Sequence, residues 1–385
     1  MIMEMVMVKH VTPEFYTPSD YKVDDAKKLG NFKWRKPFAQ EYIETGFPKW
    51  KRLKLSQISL EKLKPYEGTF LSGDTKILKT FDEAVEKNLI GEFSSVEFRG
   101  AHPKFTLMSQ AFFNAGFFSE IKGHGNVFAH YDLDSNPTVI DNSIVVVRSG
   151  SEATITREVS GKGNLRVSTT KFIVEEGAKL KFFNVLIAPD TSLSVDSNSY
   201  IVKRGAKVEV YDIILGAERI ASNHEFKLIE PEAKVKLTSA YFEIAQERAD
   251  LEYKLIHNAP KTIGQLKGNG VVDDSAYVVF RGNIDIPHES YDVRSEEEGY
   301  TLNLSSKARV DAIPSLDVKN NMVNARHAAS IGKLDEEKLY YMMSRGLDKR
   351  MAVRLIIEGM FRPIVDAIPV KSVKRDVEYG LSSRI

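Results

Sequence analysis

Gly177-Ala178-Lys179-Leu180-Lys181-Phe182, Gly205-Ala206-Lys207-Val208-Glu209-Val210 and Glu232-Ala233-Lys234-Val235-Lys236-Leu237 are three copies of one pattern. Each turns at a glycine or an acid, sets a small alanine next, then alternates a charged residue with an apolar one. Alternation with a period of two belongs to a strand that has one face in a core and the other in water. The alanines lie 28 and 27 residues apart. Looser copies start at Gly150 (Gly-Ser-Glu-Ala-Thr-Ile-Thr), Ser275 (Ser-Ala-Tyr-Val-Val-Phe) and Lys307 (Lys-Ala-Arg-Val-Asp-Ala). The step from Ala233 to Ala276 is 43 residues and the step on to Ala308 is 32.

A repeat of this length built only of strands and turns points to a β-solenoid. One coil cannot bury its inward residues alone. Stacked coils put alanine, valine and leucine into a continuous core and leave lysine and glutamate outside. The competing arrangement is a β-sandwich, whose turns recur less regularly. The expected fold is therefore mainly β, with a solenoid core over 91–330. A mixed, partly helical region covers 1–90 and a helical region covers 331–385.

The flanks read differently from the core. Asp24-Asp25-Ala26-Lys27-Lys28-Leu29-Gly30 is the end of a short helix with a glycine stop. Lys49-Trp50-Lys51-Arg52-Leu53-Lys54 is a solvated basic face around a buried tryptophan, with a phosphate-binding patch as the second reading. After 330 the period becomes helical. Asp335 is an N-cap, with Glu336 and Glu337 in the first turn, where the helix dipole favours acids. Leu339, Met342 and Met343 share a face, and Gly346 ends that helix. Asp348 caps a second helix, with Met351, Leu355 and Ile356 on its apolar side and Pro363 near its end. The expectation is a two-helix hairpin of the kind that docks a partner.

Composition excludes several functions. The chain has 385 residues and no cysteine, so disulfides, zinc-thiolate sites and thiol nucleophiles are ruled out. Lys and Arg number 54 against 53 Asp and Glu, and the net charge of +1 gives no global field toward nucleic acid or anionic membrane. Apolar runs such as Ile144–Val147 are too short to span a bilayer. The start, MIMEMVMVKH, has neither the basic nor the apolar region of a signal peptide. A cytoplasmic location is expected. No Gly-x4-Gly-Lys-[Ser/Thr], His-Glu-x-x-His or Gly-x-Ser-x-Gly occurs, and Gly123-His124-Gly125 and Gly161-Lys162-Gly163 are turns rather than dinucleotide fingerprints. No enzymatic activity is expected.

The most specific signal is a set of spaced motifs near the C-terminus. Ala308-Arg309-Val310-Asp311-Ala312-Ile313-Pro314-Ser315-Leu316-Asp317 comes first. Ala325-Arg326-His327-Ala328-Ala329-Ser330 follows. Then come Asp335-Glu336-Glu337 and Leu339-Tyr340-Tyr341-Met342-Met343-Ser344-Arg345-Gly346-Leu347. Weaker matches lie upstream at Ile256-His257-Asn258-Ala259-Pro260-Lys261-Thr262 and from Tyr277 to Gly282. In this order the segments resemble the SufB/SufD family of iron–sulfur cluster assembly scaffolds, over roughly the last 130 residues.

That resemblance implies a right-handed parallel β-helix core with flanking helical regions. It implies a non-catalytic scaffold subunit of the SUF complex, paired with a SufB-type subunit and bound to the SufC ABC-type ATPase. Leu339, Met342, Met343, Arg345, Gly346, Leu347, Leu355 and Ile356 would take the ATPase contact. The last core strands would pair with the sister subunit, and nascent cluster would sit at that junction. His327 is the family histidine: it is either a structural residue or an iron or cluster ligand completed by a partner thiolate. Without thiolates the chain alone holds no stable cluster, and iron or cluster is transient and shared. SufB-type chains carry cysteine and usually an acid after the motif histidine. Here that position is Ala328, and Asp317 stands for the usual glutamate, so the chain is closer to SufD.

Other readings stay open. A cysteine-less SufB-like homologue would act as a homodimer. A β-solenoid carbohydrate-active enzyme would need an acidic groove along the coils. Nucleic-acid binding through Lys349, Arg350, Arg354 and Arg362 competes with a plain exposed face, interrupted by Glu336, Glu337 and Glu358. The remaining histidines, at 10, 102, 124, 130, 224, 257 and 288, read as structural or surface residues.

Overall fold

The computed structural model describes residues 20–55, 60, 62–91, 93 and 98–385. His10 and the first ten residues discussed above lie outside them.

Among the described residues four helices precede the solenoid: α1 (Val23–Lys28), α2 (Phe32–Glu44), α3 (Phe81–Glu86) and α4 (Pro103–Phe112). Asp24 and Asp25 occupy the first turn of α1, Lys27 and Lys28 the last, and Gly30 follows at φ +81°. Helix α4 is buried along most of its length. It packs on α2 through Tyr42 and Phe112, whose rings are 4.9 Å apart. Trp50 is half-buried and stacks on Phe105 at 5.6 Å.

The core is two facing sheets joined turn by turn. The first has nine strands in the order β1 (Leu71–Asp74), β4 (His124–Asp132), β6 (Glu152–Ser160), β8 (Lys179–Ile187), β10 (Lys207–Ile214), β12 (Lys234–Glu243), β14 (Ile263–Val272), β16 (Val293–Asn303) and β19 (Val323–Gly332). The second runs β17 (Arg309–Ala312), β15 (Tyr277–Ile286), β13 (Arg248–His257), β11 (Arg219–Leu228), β9 (Leu193–Val202), β7 (Leu165–Val174), β5 (Thr138–Val147), β3 (Phe117–Ile121) and β2 (Ile77–Thr80). Strand β18 (Ser315–Val318) also pairs with β15. Among the described residues only β1 on β4 and β2 on β3 are antiparallel. The rest is a parallel β-solenoid of about eight turns.

Lys179, Lys207, Lys234, Ile263 and Arg294 form one column of the first sheet, so one turn takes 27–31 residues. This accounts for the irregular spacing of the sequence repeat. Ala178, Ala206 and Ala233 are stacked corners of the first sheet, and the next corner in that stack is Thr262, not Ala276. Backbone bonds from Lys207 to Ala178, Lys234 to Ala206, Ile263 to Ala233 and Arg294 to Thr262 trace the stack. Ala276 and Ala308 are successive corners of the opposite sheet. The step of 43 is one full turn plus a crossing. The corner before each alanine needs a left-handed backbone: Gly177 has φ +66° and Gly205 +62°, and Glu232 adopts +65° at the same place.

The space between the sheets is closed by side chains. Apolar residues such as Leu180, Val208, Val235, Phe226 and Leu255 fill most of it; each fully buried one contributes roughly 1.5–3 kcal/mol. The middle turns also hold a polar ladder. Arg157 donates to Asn184 Oδ1, Ser168 Oγ and Asp196 Oδ2, and Asn184 donates to Asp212 Oδ1. Burial alone would push the Asp196 carboxyl up, but the Arg157 and Arg166 guanidinia hold it well below the usual range. Burial of charge is tolerated there because each carboxylate keeps a partner.

Both outer faces are partly covered. Ile140, Ile144, Leu165 and Val167 lie under the N-terminal helices. The C-terminal region corrects one expectation: it has three helices, not a two-helix hairpin. These are α5 (Glu336–Ser344), α6 (Lys349–Val365) and α7 (Lys371–Ser382). Val373, Val377 and Leu381 recur every fourth residue and are buried. With Ile357, Phe361 and Ile364 of α6 they cover Phe183, Val185, Ile213 and Phe242 on the first sheet. Pro363 lies inside the last turn of α6.

Candidate functional site

Among the described residues nothing caps the last turn of the solenoid. Strand β19 is the terminal strand of the first sheet; it pairs with β16 on one side, and among the described residues its other edge is open. Its ten residues contain no buried position. An open edge of this length presents a row of unpaired backbone groups and is a template for another chain. Met322 and Ile331 are exposed at its two ends, and Tyr300 on the neighbouring strand.

The opposite wall of the same turn is interrupted. Strands β17 and β18 both pair with β15 and are separated by Ile313 and Pro314. Proline has no N–H to give the ladder, so the sequence Ala-Ile-Pro breaks the strand where the lumen opens. Asp311, just before the break, accepts from Tyr277 Oη at 2.6 Å and Arg309 Nε at 3.0 Å. Partial burial pushes its carboxyl up, but the Tyr277 hydroxyl and the Arg309 and Arg52 guanidinia carry it below its ordinary value. The acid of this motif holds the end of the second sheet in place.

His327 lies on β19, exposed, in register with Glu297 of β16. Val323 and Ala325 pack against the lumen core, and alternation sets His327 on the same side. Its column, followed back through the coil, reads Glu297, Leu266, Leu237, Val210, Phe182, Ile155 and Val127. Six apolar turns therefore end in an acid and then an imidazole. Glu297 is 1% exposed, and neither carboxyl oxygen has a hydrogen-bond partner. Burial pushes its carboxyl up to about 7. Gly282 of the facing strand makes room for it. Sequence reasoning missed Glu297 because it sits in the run Ser295-Glu296-Glu297-Glu298, which reads as a charged surface. Only alignment of the turns at their true spacing would have put it inward.

His257, in the upstream matched segment, is fully buried. Its Nδ1 meets Thr262 Oγ1 at 2.7 Å and its Nε2 meets Ser295 Oγ at 3.0 Å. Both nitrogens are committed to the corner of a turn, so this histidine is structural. His224 is likewise buried, against Tyr200 and Asn198.

The expected partner-binding residues lie on α5, α6 and the turn between them. Asp335 caps α5 by accepting from the backbone N–H groups of Glu337 and Lys338, and Asp348 caps α6 through Met351 N. No residue of α5 is buried. Tyr340 is 76% exposed, and Tyr341 and Met343 are exposed beside it. Leu339, Met342 and Leu347 are half-buried, and Arg345 and Gly346 (φ +91°) are exposed. Arg345 stands over the Tyr341 ring. Helix α6 is divided. Ile357 and Phe361 pack on the solenoid, Ala352 is buried, Ile356 is half-buried, and Met351 and Leu355 are exposed. The exposed apolar side chains thus come from both α5 and α6.

Among the described residues no group of three or more His, Asp or Glu side chains could hold a metal ion. Of the four basic residues on α6, Arg354 pairs with Glu358 at 2.7 Å and Arg362 with Asp366 at 2.8 Å. Among the described residues no helix is long and apolar enough to cross a membrane.

Comparison with known proteins agrees with this geometry. Residues 131–360 match the family model described as "SUF system FeS cluster assembly, SufBD core domain". The iron–sulfur cluster assembly protein SufD of Bacillus subtilis is 38% identical over 132 residues, which is 34% of this chain and 30% of that protein. An iron–sulfur cluster assembly SufBD family protein of Staphylococcus saprophyticus is 24% identical over 306 residues, 77% of this chain and 66% of the relative. Its counterpart in Staphylococcus aureus is 23% identical over a stretch of the same length. The chain thus spans less than two thirds of the length of these curated relatives.

Proposed function

The chain belongs to the SufB/SufD family of the SUF iron–sulfur cluster assembly system, and from that premise we propose that it is a non-catalytic, SufD-like scaffold subunit working in the cytosol. Its open strand edge pairs with a SufB-type sister subunit. Its C-terminal helices bind the SufC ATPase. Iron and nascent cluster are cargo held at the junction of the two scaffolds and not by this chain alone.

The observation that carries this reading is the terminal strand. Parallel sheets normally have their edges blunted by charge, proline or a covering element. Strand β19 carries one arginine and one histidine among small and apolar residues, and among the described residues nothing covers its outer edge. His327 would give a neutral imidazole, which suits iron. With no cysteine in the chain, thiolate ligands must come from the partner. The exposed apolar side chains of α5 support the ATPase contact, since a helix laid in a groove uses anchors three and four residues apart.

Co-expression with a SufB-type subunit and a SufC ATPase tests the reading. The expected product is one complex of all three, by mass measurement, that accumulates iron. The His327→Ala variant should assemble and hold less cluster per intact complex. Failure of the wild-type chain to join the complex overturns the assignment. If the isolated chain self-associates through β19, strand pairing across a two-fold axis makes the contact antiparallel, and the mass of the chain alone reports it.

A further inference from the structure

We propose that Glu297 and His327 together are the two ligands this chain offers to a divalent first-row transition cation, ferrous iron, at the open end of the solenoid lumen. This rests on the reading of His327 given above and adds a second residue, outside the motif that points to the histidine.

Three observations converge on Glu297. First, it interrupts an apolar column. Leu237 and Leu266 occupy the same place in the two preceding turns, and nothing about closing the lumen calls for an acid there. Second, it is buried with both oxygens unsatisfied. Asp141, Asp196 and Asp212 each keep a donor, from Ser168, Arg157 and Tyr253, and Glu243, whose oxygens are also unpartnered, has the Arg384 guanidinium beside it. Among the described residues Glu297 has no cation and no donor. An unsatisfied buried carboxyl is costly, and such groups persist where a function needs them. Third, the opposite wall is cut back for it. A Cβ on Gly282 would stand 2.1 Å from the Glu297 carboxyl carbon, so the glycine keeps a slot for that group one turn below the break at Ile313 and Pro314.

His327 is the next residue in the column. Stacked strands are about 4.8 Å apart, and in-register side chains on one face run alongside each other. Nitrogen and carboxylate donors bind a first-row divalent ion at about 2.1 Å, so two donors one strand apart can share one ion. An imidazole with a carboxylate suits a hard-to-borderline first-row ion such as iron, cobalt or zinc rather than a soft ion. The described residues supply no third histidine or acid here. The remaining positions fall to water in the isolated chain and to the sister subunit in the complex.

The test uses the full-length chain, anaerobically, with Co2+ as the spectroscopic probe and equilibrium dialysis for affinity. Wild type should bind one Co2+ with a visible ligand-field band. Glu297→Gln and His327→Ala should each weaken binding at least tenfold and change the band. Glu297→Leu should abolish the same band while raising the melting temperature, because it restores the apolar column; a merely structural acid would show the opposite melting shift. If Glu297→Gln binds Co2+ as tightly as wild type while His327→Ala does not, the proposal falls and the His327 reading stands. Equal binding by all variants means an adventitious ion only and overturns it, as does an absence of binding by wild type. Failure of the scaffold reading shows separately, as failure of the chain to join the three-protein complex.

Discussion

Gly282 and Glu297 meet across the lumen: the first lacks the one atom that would collide with the carboxyl group of the second. The two positions are therefore coupled. Gly282→Ala should cost about 1–3 kcal/mol, the range for overfilling a packed interior. The same change made in a Glu297→Ala background should cost far less. Urea unfolding of the two single variants and the double variant gives the coupling, expected at roughly 0.5–3 kcal/mol; additive effects would place the carboxyl elsewhere.

His257 gives a pH dependence of definite sign. Burial pushes its imidazole down to about 4. The unfolded chain takes up the proton near pH 6.5, the folded chain only near 4. The folded state is thus penalised as pH falls through this window, by up to about 3 kcal/mol when both forms are compared below pH 4. A plot of unfolding free energy against pH from 7 to 4 should fall more steeply for wild type than for His257→Asn. Parallel curves would mean that the folded imidazole takes up its proton as readily as the unfolded one.

Arg384 ties the end of α7 to the solenoid. It pairs with both oxygens of Glu247, at 2.8 and 2.9 Å, and donates to the Phe242 carbonyl. Glu243 lies beside this pair; burial and the Glu247 charge push its carboxyl up, and Arg384 opposes them. Arg384→Ala leaves buried acids without their cation and should cost about 3–5 kcal/mol in urea unfolding. Arg384→Lys, which cannot make the fork, should recover only part of it.

The C-terminal helices separate into a packing side and an exposed side. Phe361→Ala should lower stability by about 3–5 kcal/mol, because Phe361 is buried against the sheet. Tyr340→Ser and Met343→Ser should stay within about 0.5 kcal/mol of wild type yet lose ATPase capture in a pull-down. Deleting 335–385 is the wrong experiment, since it would bare Phe183, Ile213 and Phe242 as well.

Glu232 holds a left-handed corner that the two preceding turns give to glycine, at Gly177 and Gly205. A side chain there costs about 1–2 kcal/mol, and glycine loses about 0.5–1 kcal/mol of unfolded-chain entropy. Glu232→Gly should therefore gain about 0.5–1 kcal/mol, visible as a raised melting temperature. A loss would mean that the corner is not strained.

Much of this protein is legible from the sequence because its architecture is periodic. Ala178, Ala206 and Ala233 mark the coil, since a small residue is needed wherever a corner packs on the one below. The caps at Asp335 and Asp348 and the stop at Gly346 are local chemistry and fall where the residues say. Helix α7 is hard to read in the sequence because its stripe of Val373, Val377 and Leu381 is thin among eight charged or hydroxyl residues.

The sequence alone determined the strand period, the coil length, the helix ends and the family motif with His327, because each depends on neighbours along the chain or one turn away. The tertiary structure decided what crosses between turns. It set which sheet each alanine corner serves, it showed that α6 and α7 cover one face while α5 stays exposed, and it put Glu297 inside the lumen beneath His327. The register of stacked strands is not fixed by any one strand. Turns of 27–31 residues let it drift, and a shift of one residue turns an acid from solvent to core.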